Sequence, residues 1–469
     1  MNKTINKFFF LPEDQHLFDY DQIFSVSSMW VELGMENVEA TYDLYVRGMP
    51  KNRNFLLFGG LEEIIEGLIN WHFTKAEVDF LLKNEIITPK MAKPLKNYRF
   101  SGDVWAMPEG TAFFPEEPLV RITGKIWEIN LFTFFLMNAV TSNSIFLSKA
   151  IRSFLATKGK IKVVTCPVTR AHSNEASLKF GRAVYLLGAP SAIVPAFARK
   201  YNLPTTKVNT KAYHAFISSF SSELEAMKKA VSIFPNISFM VDTYNLKQGI
   251  KNAIIVAKEQ KAKGQTTLSA VVIDSGKDVK HFVQQASYAR KELDKAGFKN
   301  IKVNLSGNFT ENKLAELVKM KAPVNGVVIC TDLVTSSDDP KMEAVLKLAE
   351  FTHNGSTQHA LKLSYGKVSL PGKKQVFRKL RSGKLAEDTI GLENERLGIP
   401  LLSHWVKNGK LIKPLPDLDE IKNYLQNQLE ILPEKFKQVE KVYPHKVTIS
   451  KKLQKLFKTA QTRHLQKAG

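Results

Sequence analysis

The chain has 469 residues, of which 44% are hydrophobic and 24% are charged, so it is long enough for two or three domains with a sizeable core. This composition is typical of a soluble globular protein. It excludes a membrane-spanning helix, because the longest apolar stretch, residues 131–140, is shorter than the about 20 residues that cross a bilayer.

The cysteines and the net charge bear on the compartment of the protein and on whether it binds nucleic acid. Cys166 and Cys330 are the two cysteines, and they provide no disulfide framework and no metal-ligand spacing, so a reducing cytoplasm is the simplest compartment. The net charge is +22, and residues 371–469 hold 21 Lys and Arg against 10 Asp and Glu. A basic tail raises the possibility of nucleic-acid binding. Since no aromatic stacking pattern and no nucleic-acid-binding signature accompanies it, a solvated basic face is favoured.

The first 155 residues predict an α+β domain that is rich in Phe, Tyr and Trp. We expect strands at residues 40–47, 55–58 and 119–124. A helix is expected at residues 60–73, and residues 126–155 read as one long or broken apolar helix.

Residues 156–370 are predicted to form an α/β barrel, because one unit repeats between residues 237 and 332. Each unit has a short apolar strand, a small polar or acidic tip and an amphipathic helix. Such repeats predict a parallel sheet, either a barrel or a doubly wound fold, with a ligand site at the carboxyl ends of the strands. The predicted strands are residues 161–164, 237–241, 269–273, 301–305 and 326–329, and two further strands are expected near residues 192–194 and 206–208. Two of the predicted helices are residues 279–296 and 311–321.

Residues 371–469 are turn-rich and basic, with helices predicted at residues 418–432 and 453–463. No long linker separates this segment from the rest, so we expect it to pack on the N-terminal domain. The predicted fold is therefore an irregular α/β barrel with an N-terminal α+β domain that the C-terminal segment completes.

Several motifs, in one order and spacing along nearly the whole chain, resemble those of the nicotinate phosphoribosyltransferase family. They are Ala-Thr-Tyr-Asp-Leu-Tyr-Val-Arg at residues 40–47, Phe-Gly-Gly-Leu-Glu-Glu at 58–63, Gly-Asp-Val-Trp-Ala-Met-Pro-Glu-Gly at 102–110, Glu-Pro-Leu-Val-Arg-Ile-Thr-Gly at 117–124, Val-Asp-Thr-Tyr at 241–244, Ile-Asp-Ser-Gly at 273–276, and Lys-Leu-Ser at 362–364 followed by Leu-Pro-Gly-Lys at 370–373 and by Arg378.

The resemblance implies transfer of a phosphoribosyl group from phosphoribosyl pyrophosphate to nicotinate, giving nicotinate mononucleotide and pyrophosphate in NAD biosynthesis. It also implies Mg²⁺, coupling to ATP hydrolysis through a phosphorylated histidine, and a homodimer. Asp274 follows a predicted strand and can accept hydrogen bonds from both ribose hydroxyls. Asp242 holds the equivalent position one strand earlier, where it could position magnesium-bound pyrophosphate or the histidine; for both residues, a helix cap is the alternative.

The 5′-phosphate is expected at Ser306, Gly307 and Thr331, because the loops after the last strands of such barrels bind phosphate. Here the chain departs from the family pattern, in which Gly-Val-Gly-Thr stands where this chain has Val-Ile-Cys-Thr at residues 328–331. A side chain at those two glycine positions restricts the backbone and crowds a phosphate.

His214 falls on the family's phosphorylated histidine, although Lys-Ala-Tyr-His-Ala at residues 211–215 replaces much of the surrounding Gly-Thr-x-Ala-His-Ser. For nicotinate, Cys-Pro-Val-Thr-Arg-Ala at residues 166–171 stands where the family has Phe-Gly-x-Arg-Arg-Ala. Arg170 therefore keeps one of two arginines that can grip a carboxylate, and Arg182 is a second candidate.

Three functions stay open on the sequence. The first is a working nicotinate phosphoribosyltransferase. The second is a diverged protein of the same fold that is inactive or uses another acceptor such as nicotinamide, which the altered motifs suggest. The third is a nucleic-acid-binding protein built on that fold, which only the basic C-terminal segment suggests.

Overall fold

A computed structural model describes residues 15–17, 19–189, 194–203 and 210–468 of the chain. It divides into two compact units, which we describe separately. The first unit comprises residues 1–148, 341–437 and 442–469, and the second comprises residues 149–340 and 438–441. Among the described residues, no helix is both long and apolar enough to cross a membrane.

The helices in chain order are α1 Asp21–Glu32, α2 Leu61–Asn70, α3 Lys75–Lys83, α4 Pro89–Lys96, α5 Ile126–Asn130, α6 Thr133–Thr157, α7 Asn174–Leu186, α8 Pro195–Tyr201, α9 His214–Ser218, α10 Glu223–Ile233, α11 Leu246–Ala262, α12 Val279–Lys295, α13 Glu311–Lys319, α14 Thr331–Thr335, α15 Leu418–Ile431 and α16 Lys451–Ala468.

The strands are β1 Glu39–Val46, β2 Leu56–Leu57, β3 Asp103–Ala106, β4 Ala112–Phe113, β5 Val120–Lys125, β6 Lys162–Thr165, β7 Thr210–Ala212, β8 Ser238–Met240, β9 Ala270–Ile273, β10 Lys302–Gly307, β11 Gly326–Ile329, β12 Ala344–His353, β13 Ser356–His359, β14 Lys374–Arg381, β15 Lys384–Leu392, β16 Ile399–Pro400, β17 Ser403–Lys407, β18 Lys410–Leu411 and β19 Val447–Ile449.

The first unit is built on an antiparallel sheet with the strand order β13-β12-β1-β5-β3-β17-β18. The three strands from the N-terminal sequence, β1, β5 and β3, form the middle of this sheet, and strands from after residue 340 flank them on both sides. Thus β1 pairs with β12 on one side and with β5 on the other, and β17 pairs with β3. A second sheet, β16-β14-β15-β19, comes wholly from residues after 370. The C-terminal segment therefore supplies strands that the N-terminal sequence lacks.

The second unit contains one six-stranded sheet with the order β6-β11-β10-β9-β8-β7, and all of its strands are parallel. All four residues of β9 are buried, as are most residues of β11, because helices that follow the strands pack against the sheet. This burial explains why these strands read as continuous apolar runs. In a parallel sheet every carboxyl strand end lies at one edge, so the residues after the strands share that edge.

The predicted α/β class is confirmed, and five of the strands predicted in the second unit match β6 and β8–β11 to within two residues at each end. The strands expected near residues 192–194 and 206–208 fall on residues 190–193 and 204–209, which are outside the described residues. The long apolar segment is broken, since α5 ends at Asn130 and α6 begins at Thr133. Closure of the sheet into a barrel stays a prediction, because no pairing joins β6 to β7 among the residues that the structure describes.

The bounds of the two units differ from the expected ones after residue 340. Residues 341–370, which we expected in the barrel, lie in the first unit. The reason is strand pairing, because Ala344–His353 aligns antiparallel with Glu39–Val46 along its length. A strand cannot leave the sheet in which its backbone groups are paired without losing those hydrogen bonds.

Candidate active site

Six of the expected site residues follow carboxyl ends of parallel strands in the second unit, so they share one edge of the sheet. In the spatial order of the strands, these residues are Thr331 after β11, Ser306 and Gly307 at the end of β10, Asp274 after β9, Asp242 after β8, and His214 after β7.

Asp242 and Asp274 are joined through the backbone. One carboxylate oxygen of Asp242, Oδ2, accepts hydrogen bonds from the amides of Asp274 and Ser275, each at 2.8 Å. Its other oxygen, Oδ1, is buried and has no hydrogen-bond partner among the residues that the structure describes. Asp242 therefore holds the turn that presents Asp274, and it keeps one acceptor for a further group. The Asp274 side chain is 36% exposed and is open to a ligand.

His214 lies between Thr243 and Asp274. Its Nδ1 atom is 2.8 Å from the Thr243 hydroxyl oxygen, and its Nε2 atom is 3.9 Å from Oδ2 of Asp274. The imidazole is 40% exposed. Thr243 thus fixes the ring orientation through one nitrogen, and the other nitrogen faces the carboxylate on the open side.

A buried polar network lies beside Asp242. Glu223, at the start of α10, accepts a hydrogen bond from Asn252 at 2.7 Å, and Asn252 accepts one from Gln248 at 2.9 Å. Burial first and the Asp242 charge in addition raise the pKa of Glu223, although the Asn252 bond opposes the shift. Gly249 lets α11 approach the end of β8 closely, because a Cβ there would lie 2.1 Å from the carbonyl oxygen of Val241.

The loops after β10 and β11 are the expected phosphate site. Gly307 has φ +146°, a conformation that side-chain-bearing residues avoid. Cys330, which stands where the family has glycine, has φ −118°, and Val328 lies within β11. The lost glycines therefore leave a backbone that ordinary residues adopt, and the remaining effect of the substitutions is the space that their side chains occupy.

Lys149 forms ion pairs with residues of α13 and α14, the helices that follow these two loops. It is completely buried, and its Nζ atom lies 2.8 Å from both Glu311 Oε1 and Asp332 Oδ2 and 3.1 Å from Asp338 Oδ1. Burial lowers the pKa of Lys149, but the Glu311 and Asp332 carboxylates raise it by more. The net shift is upward, so Lys149 carries a positive charge. Because Asp332 directly follows Thr331, this ion pair fixes the position of the loop after β11.

The two candidate arginines have different environments. Arg170 is exposed, and its Nη1 atom bonds weakly to the carbonyl oxygen of Thr169 at 3.4 Å. Arg182 is 4% exposed within α7. Exposure at the end of the sheet favours Arg170 as the partner of a ligand carboxylate.

Two observations bear on magnesium. No group of three or more His, Cys, Asp or Glu side chains that could enclose a metal occurs in the described parts of the chain. Mg²⁺ bound to a pyrophosphate needs only one or two protein carboxylates, since phosphate oxygens and water supply its other ligands. The unpartnered Oδ1 atom of Asp242 and the exposed carboxylate of Asp274 fit that need.

Sequence reasoning did not single out Thr243, Glu223 or Lys149. Thr243 is in a motif that was recognised, but which atom its hydroxyl contacts depends on the neighbouring strand. Glu223 and Lys149 lie in helices with many other charged or polar residues, and their sequence carries no signal of burial. Lys149 and Glu311 are 162 positions apart, so only the folded chain brings them together.

Comparisons with known proteins agree with the motifs. Residues 22–141 match the nicotinate phosphoribosyltransferase (NAPRTase) N-terminal domain, and residues 392–457 match the nicotinate phosphoribosyltransferase C-terminal domain. A nicotinate phosphoribosyltransferase of Mycobacterium tuberculosis is 32% identical over 428 residues, which cover 91% of this chain and 89% of that protein.

A second relative and a solved structure extend the comparison. A nicotinate phosphoribosyltransferase of Bacillus subtilis is 28% identical and covers 92% of each chain. The crystal structure of human nicotinic acid phosphoribosyltransferase has a TM-score of 0.83 at 22% identity, covering 94% of this chain and 99% of that chain. At that identity the structural match shows a shared fold.

Proposed function

Since the chain belongs to the nicotinate phosphoribosyltransferase family, we propose that it transfers a phosphoribosyl group from phosphoribosyl pyrophosphate to nicotinate, forming nicotinate mononucleotide and pyrophosphate for NAD biosynthesis. The observation that carries the proposal is the grouping of Asp242, Asp274 and His214 at one edge of the parallel sheet, with Asp242 holding the Asp274 turn.

Asp274 is the proposed partner of the ribose. No donor among the described residues bonds its carboxylate, so two lone pairs are available for the 2′- and 3′-hydroxyls. As the bond to pyrophosphate breaks, positive charge develops on the ribose ring. A nearby carboxylate stabilises that charge more strongly in the transition state than in the bound substrate.

Asp242 would hold Mg²⁺ through its buried, unpartnered Oδ1 atom, together with pyrophosphate oxygens and water. Bound magnesium would neutralise charge on the departing pyrophosphate. Because Oδ2 of Asp242 bonds to the Asp274 and Ser275 amides, the same side chain would couple the position of the pyrophosphate to that of the ribose.

His214 is the proposed acceptor of a phosphoryl group from ATP. For Nε2 to act as the nucleophile, Nδ1 must carry the proton and donate a hydrogen bond to the Thr243 hydroxyl oxygen. The 2.8 Å separation of these two atoms permits this tautomer. The exposed side of the imidazole leaves room for a phosphate.

The remaining substrate groups have their own partners in the proposal. Ser306, Gly307 and Thr331 would bind the 5′-phosphate in loops that Lys149 holds through Glu311 and Asp332. Arg170 would bind the nicotinate carboxylate, because its guanidinium is exposed near the end of β6. A homodimer and a cytoplasmic location, which the family resemblance and the cysteine usage suggest, complete the proposal.

The direct test is a transfer assay with isotope-labelled nicotinate, phosphoribosyl pyrophosphate and Mg²⁺, with and without ATP. We expect labelled nicotinate mononucleotide, formed faster with ATP. Labelled nicotinamide serves as the competing acceptor, since it lacks the carboxylate that Arg170 would bind. Product from nicotinamide alone would replace the proposed acceptor, and no product from either compound would support the diverged, inactive alternative.

ATP coupling is tested separately. Incubation with γ-labelled ATP should phosphorylate the protein in a form that acid removes and base does not, as expected of a phosphohistidine. His214→Ala should abolish the label and the stimulation by ATP, yet leave slow transfer, because ribosyl transfer itself does not require the phosphohistidine. A label that survives in this variant would place the phosphoryl group elsewhere.

A further inference from the structure

The two cysteines of the chain are neighbours at the candidate active site. Thr165 at the end of β6 pairs in register with Ile329 at the end of β11, and the next residues are Cys166 and Cys330. The Cys166 amide continues the ladder by donating to the carbonyl oxygen of Ile329 at 3.4 Å. Parallel strands are about 4.8 Å apart, and this spacing is within the range of Cα separations that a disulfide spans.

Packing does not account for these cysteines. Structural cysteines are usually buried, whereas both of these side chains are partly exposed. They also stand where the family pattern has a phenylalanine and a glycine. Two independent departures from that pattern thus put a thiol on adjacent strand ends in a chain with two cysteines.

The pKa values of the two thiols are shifted in opposite directions. A hydrogen bond from the Cys330 thiol, opposed by burial and assisted by Thr169, lowers the pKa of Cys166 to about 6. Donating that bond raises the pKa of Cys330 above its ordinary range. The shifts favour a thiolate at Cys166 beside a protonated thiol at Cys330, which is the arrangement of a reactive cysteine and its resolving partner.

We propose that Cys166 and Cys330 form a peroxide-sensitive modification site that closes to a disulfide across the ends of β6 and β11 and reversibly stops the enzyme. The Cys166 thiolate attacks hydrogen peroxide, which gives a sulfenic acid and hydroxide. The Cys330 thiol, losing its proton as it attacks, then displaces hydroxide from the sulfenic sulfur, and the S–S bond forms. The two thiols are oxidised by two electrons and the peroxide is reduced to two waters; a dithiol reverses the reaction.

The loss of activity rests on the proposed function. Cys330 precedes Thr331 of the expected phosphate site, and Cys166 begins the segment that carries Arg170. A disulfide would replace the contact between thiols with a covalent link and draw these two segments together. We expect this to displace the backbone groups that would bind the 5′-phosphate and the nicotinate carboxylate.

The first experiment maps the bond without using activity. The full-length protein is treated with a small excess of hydrogen peroxide, alkylated and digested with trypsin. We expect residues 163–170 to be linked to residues 322–341 in a species that has lost two hydrogen atoms and that dithiothreitol separates. Recovery of both peptides alkylated, or Cys166 present only as sulfinic acid, would overturn the proposal.

Two substitutions of Cys330 separate its roles. Cys330→Ser keeps a hydroxyl donor but cannot form the disulfide, and Cys330→Ala removes both. The alkylation rate of Cys166 should have its midpoint near pH 6 in the unmodified protein and in Cys330→Ser. In Cys330→Ala the midpoint should move towards about 8.5, with alkylation at pH 6 about tenfold slower. Equal midpoints in all three proteins would show that Cys330 does not activate Cys166.

Activity is the second readout. After peroxide, the unmodified protein should lose most of its transfer activity and recover it in dithiothreitol. Cys330→Ser, measured against its own starting rate, should not recover, because Cys166 is oxidised further when no thiol resolves it. A cross-linked protein that keeps full activity would refute the switch alone. A protein that never transfers phosphoribosyl would refute the proposed function and leave the peptide result standing.

Discussion

The charged motif residues of the two compact units differ in how fully their hydrogen-bonding capacity is used. In the first unit, Arg378 is 2% exposed and donates to both oxygens of Asp388, at 2.9 and 2.8 Å, to the carbonyl oxygen of Ala112 and to Gln428. In the second unit, Asp274 is 36% exposed and its carboxylate has no donor among the described residues.

Charged groups in the buried cluster of the first unit shift one another's pKa values. Burial and the Asp388 charge raise the pKa of Glu117 well above its usual range. Burial raises the pKa of Asp388, but hydrogen bonds from His445 and Arg378 outweigh burial and hold this pKa below its ordinary value. The opposite shifts favour a charged Asp388 facing the guanidinium, and both oxygens of Asp388 are occupied by Arg378.

A charged residue within a recognised motif therefore does not by itself indicate a catalytic role. Arg378 belongs to a motif as family-like as that of Asp274, yet it is buried and its guanidinium is paired. Free acceptors at the edge of a sheet identify residues that face a ligand, and complete pairing identifies residues that hold the fold. The following substitutions test this distinction.

The largest effect is expected for Asp274→Asn. The amide keeps the shape but loses the negative charge, and hydrogen bonds to a charged acceptor are worth about 1.5–3 kcal/mol each. With two ribose hydroxyls we expect kcat/KM for phosphoribosyl pyrophosphate to fall roughly 10²–10⁴-fold, with an unchanged free energy of unfolding. Steady-state kinetics and urea unfolding measure the two quantities.

Asp278→Asn is the matched control. Asp278 caps α12 by accepting from the His281 amide, and asparagine caps a helix about equally well. This variant should retain both activity and stability. Equal turnover in the Asp274 and Asp278 variants would mean that the ribose hydroxyls are bound elsewhere.

The next effect is a loss of stability for Arg378→Met. Removing one partner leaves the buried Asp388 carboxylate without its main donor, and such changes cost about 3–5 kcal/mol. Urea unfolding should show the loss, and the double change with Asp388→Leu should restore part of it. Arg170→Met, which removes an exposed arginine, should change stability by about 0.5 kcal/mol or less. Equal losses for the two arginines would contradict the distinction between buried and open charges.

A smaller loss is expected for Gly307→Ala. A Cβ there would lie 3.6 Å from Phe309, an ordinary contact, so the cost comes from the backbone at φ +146° and is about 1–3 kcal/mol. Gly181→Ala in α7, where φ is negative and the nearest atom is 3.9 Å away, should be neutral or stabilising by about 0.4–1 kcal/mol. Thermal unfolding of both variants compares them, and equal stability would show that the Gly307 backbone relaxes without cost.

The smallest effect is expected for Thr243→Val, which keeps the side-chain shape and removes the hydroxyl that bonds Nδ1 of His214. One neutral hydrogen bond contributes about 0.5–1.5 kcal/mol, so the rate of phosphohistidine labelling should fall about 2- to 10-fold. Thr169→Val, in the same unit but in the segment after β6, is the control and should label at the original rate. An unchanged rate in Thr243→Val would leave the tautomer to be set by water or by the substrate.

Local patterns determined much of the fold. Continuous apolar runs of four or five residues predicted the buried parallel strands, since a strand covered on both faces must be apolar throughout. Polar residues after those runs predicted Asp242 and Asp274 at strand ends, and parallel strands necessarily place such residues at one edge. The motif spacing indicated the family for the same reason, because it preserves the lengths of these elements.

Tertiary structure decided which residues pair across long separations and how exposed each one is. The assignment of Ala344–His353 to the first unit depends on a partner strand about 300 positions earlier. The contrast between Arg170 and Arg182 depends on burial, and the contact between Cys166 and Cys330 depends on strand order, since β6 pairs with β11, which lies far along the chain. Hydrogen bonding and burial depend on distances in the folded chain, and short sequence patterns carry no information about neighbours that only folding brings together.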